Sequence, residues 1–171
     1  MDMHRRFPEW KLSRFIFGET KLAILWLVLR VYVGFIWVSA GWEKWQNPAW
    51  VGDSAGTAIS GFLNTSLTKT LGAHPDVSSW YASFITSVVL PHAGLFSYLV
   101  TYGEIFVGLG LIVGLFTGVA AFFGMTMNFN YLFAGTVSTN PLLVLLQLPI
   151  VLGWRAAGHL GLDRYFLRKI R

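Results

Sequence analysis

Four apolar runs set the pattern of the chain: Leu22–Trp42, Gly94–Phe116, Val119–Ala134 and Pro141–Ala157. A helix rising about 1.5 Å per residue needs roughly 20 residues to cross about 30 Å of hydrocarbon, and each run approaches that length, the third being the shortest. The pattern predicts an all-α integral membrane protein: a four-transmembrane-helix bundle with helices over about 22–45, 94–116, 119–134 and 141–158. Deep in the second run stands Glu104, among glycines and aliphatic residues. A bare carboxylate at membrane depth costs several kcal/mol, so it must be paired, protonated or turned to a polar cavity. That makes Glu104 the first candidate functional residue.

The polar and small residues of the other runs fall at helical spacing. On the first helix Arg30, Gly34, Trp37 and Gly41 share one face, and the glycines predict close approach of another helix along that stripe. Asn47-Pro48 ends this helix in a tryptophan-rich belt. The connection over 46–93 is too long for an idle loop and carries two short amphipathic patterns, one facing with Ile59, Phe62, Leu63 and Leu67, the other with Trp80, Phe84 and Val88. Asp76 or Ser78 would cap the second and Pro91 would stop it. Both are expected to lie as interfacial helices over one mouth of the bundle, forming a lid; floating on the lipid headgroups is the alternative. Leu115–Gly118 is a short turn that makes the second and third helices antiparallel neighbours. Counted from that turn, Glu104 and Asn128 lie at similar depth, which predicts a hydrogen bond between them. Asn140-Pro141 reads as an N-cap followed by proline at the first helical position, and Pro149 as a kink in the last helix, which carries Gln147 inward.

Composition agrees with a membrane protein: 54% of the 171 residues are hydrophobic and 12% charged, where a soluble domain carries about 25% charged residues. The net charge of +5 would suit nucleic acid in a soluble protein, but its placement argues otherwise. Of thirteen Lys and Arg, five lie in residues 1–21 and five follow Trp154. The positive-inside rule then puts both termini of a multi-pass protein at the cytoplasmic face of the plasma membrane and the long connection outside. Residues 1–21 read as a basic, aromatic interfacial segment rather than a cleavable signal peptide, 22–160 as one membrane domain and 161–171 as a basic cytoplasmic tail in which Asp163 and Arg164 form a surface pair. With no cysteine, disulfide exchange and thiolate metal binding are excluded. The four histidines are scattered and no ligand spacing occurs, so no metal is predicted.

Several short motifs recur in a fixed order: Ala40-Gly41-x-x-Lys44-x-x-x-Pro48-x-Trp50, Gly103-Glu104 followed by Val107-Gly-Leu-Gly-Leu, Gly114-Leu-Phe-Thr, Asn140-Pro141, and Ala157-Gly158-x-x-Gly161-Leu-Asp163-Arg164. Together they resemble the DoxX/DoxD family of small four-helix membrane proteins, over roughly residues 24–167, and the long outer connection resembles the DoxD branch. The resemblance implies a membrane subunit of a thiosulfate:quinone oxidoreductase, coupling thiosulfate oxidation to tetrathionate with quinone reduction beside a small DoxA-like partner. Many DoxX-like proteins have no established reaction.

Reducing a quinone needs an apolar slot for ring and tail, donors to its carbonyls and a proton source. Glu104, Arg30 and Asn128 are the candidate catalytic residues, with Trp37 to stack on the ring, Tyr131 and Gln147 to donate to a carbonyl, and Lys44 and His92 to meet the sulfur anion at the outer ends of helices; His74 and Lys69 are weaker candidates for that role. Each has a structural alternative. Glu104 with Arg30 can be an intramembrane ion pair that fixes helix register. Asn128 and Gln147 can be interhelical hydrogen-bond glue, Lys44 an interfacial anchor and His92 a solvated cap. Two function classes follow: a quinone-linked oxidoreductase subunit, or a non-catalytic scaffold or lipid/quinone-binding subunit that stabilises a partner. The lipid bilayer is the expected environment, a homodimer the expected assembly, and nucleic acid is not an expected partner.

Overall fold

The computed structural model describes residues 22–165, and all regular structure among them is helical. The expected interfacial helix in residues 1–21 and the end of the basic tail lie outside the described residues. The helices are α1 (Ala23–Trp45), α2 (Thr57–Thr68), α3 (Ser79–Phe84), α4 (Ala93–Val113), α5 (Thr117–Phe133), α6 (Asn140–Leu152) and the single turn α7 (Trp154–Ala157). Two stretches are long and apolar enough to cross a membrane, α1 and the continuous helical arm Ser79–Val113; α6 is apolar but shorter.

α1 packs chiefly on α4, and α5 on α6, with a looser contact between α4 and α5. Glycine sets the first of these. The expected α1 stripe of Arg30, Gly34, Trp37 and Gly41 is buried, and it meets Gly108 of α4. A Cβ on Gly108 would stand 2.5 Å from Val38 and 2.6 Å from the Gly34 carbonyl, and one on Gly41 would stand 2.7 Å from Ile105. Gly108→Ala is therefore expected to force α1 and α4 apart and cost about 2 kcal/mol, read as a lower unfolding temperature in detergent.

The arm before α4 departs from expectation. Pro91 does not stop the helix; the chain passes through a π-helical turn over Ile85–Val89 and a 3₁₀ turn over Leu90–His92, then continues into α4. Proline cannot donate to the preceding turn, and the chain absorbs that loss by widening, with Leu90 N–H bonding to the Ile85 carbonyl. The buried face of this arm is Tyr81, Ile85 and Val89 rather than Trp80, Phe84 and Val88; Trp80 and Val88 are exposed. Ser79, Ser83, Thr86 and Ser87 form a polar exposed stripe along this arm, and the buried face lies opposite it, through Tyr81 and Ile85. The first outer helix follows its pattern, with Ile59 and Leu63 buried and Phe62 and Leu67 packed beside them.

These residues form a second apolar cluster with Val77, Ala134, Phe96 and Val100, which seats the 46–92 segment on the ends of α4 and α5. Lys69 donates to the Gly135 carbonyl at 2.6 Å, and the Tyr81 hydroxyl lies 3.0 Å from the Asn130 carbonyl, so the lid is hydrogen-bonded as well as packed. That end is called the lid end below; the other is the turn end.

Helix ends also shift. α4 stops at Val113, where Gly114 takes the left-handed conformation with φ 71°, and α5 starts at Thr117, so the expected 94–116 and 119–134 become Ala93–Val113 and Thr117–Phe133. Thr139 rather than Asn140 stands at the N-cap of α6, and the Asn140 amide instead donates to the Thr136 carbonyl at 2.9 Å. The last helix does not run unbroken to 158: it ends at Leu152, three residues after Pro149, with the Gly153 N–H bonding to the Pro149 carbonyl, and resumes as α7 after Gly153.

Candidate functional site

The candidate residues buried in the bundle fall into three layers along α1, set by Lys44, Trp37 and Arg30, each seven residues from the next. At helical rise the layers are about 10 Å apart.

The layer nearest the lid joins three helices. Lys44 of α1 holds both carboxylate oxygens of Glu104 of α4, with Nζ 3.0 Å from Oε1 and 2.8 Å from Oε2. Tyr131 of α5 donates its hydroxyl to Oε1 at 2.7 Å. Glu104 is 1% exposed, whereas the Lys44 side chain is 21% exposed and its ammonium lies 5.3 Å from the Trp50 ring centroid. This geometry follows from helix direction. Side chains lean toward the N-terminus of their own helix, so the Lys44 stem runs back from the end of α1 into the bundle. Gly41, one turn earlier, lets α4 come close enough to present Glu104; a Cβ there would lie 3.0 Å from Glu104 Cβ. A carboxylate clasped by an ammonium and a phenol is satisfied at membrane depth, and the phenol can pass a proton to or from it.

The middle layer holds Trp37, Gln147 and Asn128. Gln147 and Asn128 are fully buried and their side-chain amides lie 2.6 Å apart. With the Gln147 amide oxygen turned to α1, it accepts from Trp37 Nε1 at 2.9 Å, and its nitrogen reaches the Leu143 carbonyl at 3.2 Å. The Asn128 oxygen, otherwise unpartnered, then faces the Gln147 nitrogen once its own amide is turned the same way. Gly124 makes room for this knot, since a Cβ there would be 2.9 Å from Val107 and 3.1 Å from Trp37 Nε1. The expected Glu104–Asn128 hydrogen bond does not form. α5 packs on α6, so Asn128 finds Gln147.

At the turn end Arg30 is 1% exposed and donates to two carbonyls, Leu111 at 3.1 Å and Leu160 at 2.8 Å. It does not pair with Glu104, which stands seven residues nearer the lid on α4 than Leu111. Arg30 stands two layers from Lys44 on α1, and its side chain leans further away from Glu104, toward the start of α1. Arg30 lies near Asp163, which is buried instead of forming the expected surface pair. Asp163 is 5% exposed and accepts backbone N–H from Phe116 at 2.7 Å and from Thr117 at 2.9 Å, capping α5. Its own N–H donates to the Gly114 carbonyl at 2.8 Å. The signal for this packing was Gly158 and Gly161: a Cβ on Gly158 would meet Asp163 Oδ2 at 2.6 Å, and one on Gly161 would meet Arg30 at 2.8 Å.

The structure thus brings Lys44, Glu104 and Tyr131 together, joins Trp37, Asn128 and Gln147 in a separate layer, and sets Arg30 apart from both. His92 stands apart as well: it is exposed, with Nδ1 3.0 Å from the Val88 carbonyl. Sequence reasoning missed the Lys44–Glu104 pair because Lys44 lies in a tryptophan belt, where interfacial anchoring is the ordinary role.

The DoxX family model matches residues 25–136. No curated protein and no solved structure matches the chain.

Proposed function

The chain belongs to the DoxX family and is a membrane protein, and on that premise we propose that it is the membrane subunit of a quinone-linked oxidoreductase of the thiosulfate:quinone, DoxD-like type. It crosses the plasma membrane four times, through α1, the arm ending in α4, α5, and α6 with α7. The basic ends face the cytoplasm and the lid end faces outward. One observation carries the reading: Tyr131 links the buried Lys44–Glu104 pair to an apolar groove between α4 and α5, of which its ring forms part.

In this reading two thiosulfate anions joined through a new S–S bond as tetrathionate release two electrons; these, with two protons, convert two quinone carbonyls to hydroxyls. A DoxA-like small subunit holds the sulfur chemistry, since this chain has no cysteine to take a sulfur atom. The residues of the chain handle the proton. As the structure stands, the phenolic hydrogen of Tyr131 is given to the Glu104 carboxylate. When Glu104 carries a proton, that carboxyl donates to the phenolic oxygen and frees the phenolic hydrogen for an acceptor in the groove. Lys44, partly exposed at the lid end, keeps the carboxylate neutralised and offers the route by which a proton arrives from that face.

The test is thiosulfate-dependent reduction of a short-tailed quinone analogue by membranes holding the chain and its partner. Glu104→Gln and Tyr131→Phe are each expected to lower the rate at least tenfold, equivalent to about 1.4 kcal/mol of barrier. A second reading, a non-catalytic scaffold or lipid-binding subunit, is favoured by the full satisfaction of Glu104 by Lys44 and Tyr131. Unchanged rates in both folded variants would decide for it.

A further inference from the structure

The groove between α4 and α5 has a volume of about 700 Å³ and passes beneath the lid. Its walls include Gly103, Val107 and Gly110 of α4 and Ala120, Phe123 and Met127 of α5. It extends from Phe96 to Val113 along α4, about 25 Å at helical rise. Three properties narrow what fits it. Among the described residues no charged side chain lines it, so an ionic headgroup would enter without a counter-charge from them, and Lys44 is already engaged with Glu104. Its hydrogen-bonding side chains, Trp50, Tyr81, Asn130 and Tyr131, all lie at the lid end, while Leu115, Phe116 and Val119 line the turn end. It is long and narrow: about 700 Å³ spread over about 25 Å gives a mean cross-section of about 28 Å², the width of one hydrocarbon chain, and bulk added at Gly110 would meet Ala120 across it, a Cβ there lying 3.1 Å away.

We propose that this groove binds one uncharged lipid that has a compact ring head and a single long apolar tail, the ring at the lid end beside Tyr131 and the tail running toward the α4–α5 turn. The identity of the head as a quinone rests on the reading above; the position and direction of the tail rest on the groove alone. A two-chain anionic phospholipid does not satisfy the same site, since its width exceeds one chain and its phosphate finds no cation among the lining residues. The orientation has a consequence for chemistry: protons reach the ring from the lid face, through Tyr131, Glu104 and Lys44.

The test measures binding to the purified full chain by quenching of tryptophan fluorescence, Trp50 being part of the groove wall. The probes are a decyl-substituted benzoquinone, the same ring without a tail, and phosphatidylglycerol as competitor. Saturable binding of the decyl quinone is expected, at least tenfold tighter than the tail-less ring. Gly110→Leu, which fills the tail path, is expected to abolish that advantage and leave the tail-less ring unaffected. Val119→Trp, at an exposed position of the groove wall, provides the same readout should Gly110→Leu fail to fold. Equal binding of tailed and tail-less rings overturns the proposal, as does displacement of the decyl quinone by equimolar phosphatidylglycerol, which would mark the groove as an ordinary lipid contact. Tenfold loss of turnover in Glu104→Gln together with either of those outcomes would keep the quinone-linked activity and remove the groove from it; normal binding with no turnover would do the reverse.

Discussion

Replacing Lys44 with methionine is expected to destabilise the protein by about 3 kcal/mol, more than any other single change near Glu104. Removing one member of a buried ion pair leaves the other uncompensated, which costs about 3–5 kcal/mol, and the partial exposure of Lys44 sets the lower end of that range. Glu104 would then keep the Tyr131 hydroxyl as its one side-chain donor and would have to be protonated to remain buried. The reverse change is milder. In Glu104→Gln the lysine can turn its flexible stem toward the lid end and reach water, while the glutamine oxygen still accepts from Tyr131. The double variant Lys44→Met/Glu104→Gln is expected to recover most of the stability lost by Lys44→Met alone, because it buries no unpaired charge. Thermal unfolding of the three variants in one detergent checks the order. A double variant as unstable as Lys44→Met would mean that the lysine matters through packing, against Trp50 for example, and not through its charge.

This asymmetry also shows what the sequence made legible. Arg30, Gly34, Trp37 and Gly41 were readable as one buried face because helical spacing and small residues are local properties. Glu104 stood out because a carboxylate in an apolar run must be satisfied. Its partner was not legible. Residue counting gives depth to within a turn or so, but the choice between Lys44 and Arg30 depends on where α4 ends and on which way each long side chain leans. Asn128 was misassigned for a related reason: its neighbour is decided by which helix lies beside α5, and loop lengths give order along the chain rather than position round the bundle. The face of α3 was read through its bulky residues Trp80 and Phe84, whereas the polar stripe Ser79, Ser83 and Thr86 marks the outer side and turns Tyr81 inward. Where polar and apolar positions alternate clearly, as in α2, the pattern and the packing agree.

Asp163→Ala is expected to cost about 3 kcal/mol, although the residue lies well beyond the last apolar run. Its two carboxylate oxygens accept the first free N–H groups of α5. Hydrogen bonds to a charged group contribute about 1.5–3 kcal/mol each, and an anion at a helix N-terminus adds to them. The loss also falls on a strained turn, since Phe116 is held at φ 49°, a conformation that L side chains rarely adopt. Asp163→Asn should not rescue it: one amide oxygen can accept from Phe116 or Thr117, but the amide nitrogen would then face the other N–H, donor against donor. Thermal unfolding and limited proteolysis at the 114–116 turn measure both effects, and cleavage there should rise in both variants. The consequence reaches the groove, whose turn end is lined by Leu115, Phe116 and Val119. A loosened turn would release the far end of a bound tail while leaving Tyr131 and Glu104 in place. Asp163→Ala should therefore weaken binding of the decyl quinone and spare the tail-less ring, giving the two ends of the groove separate signatures.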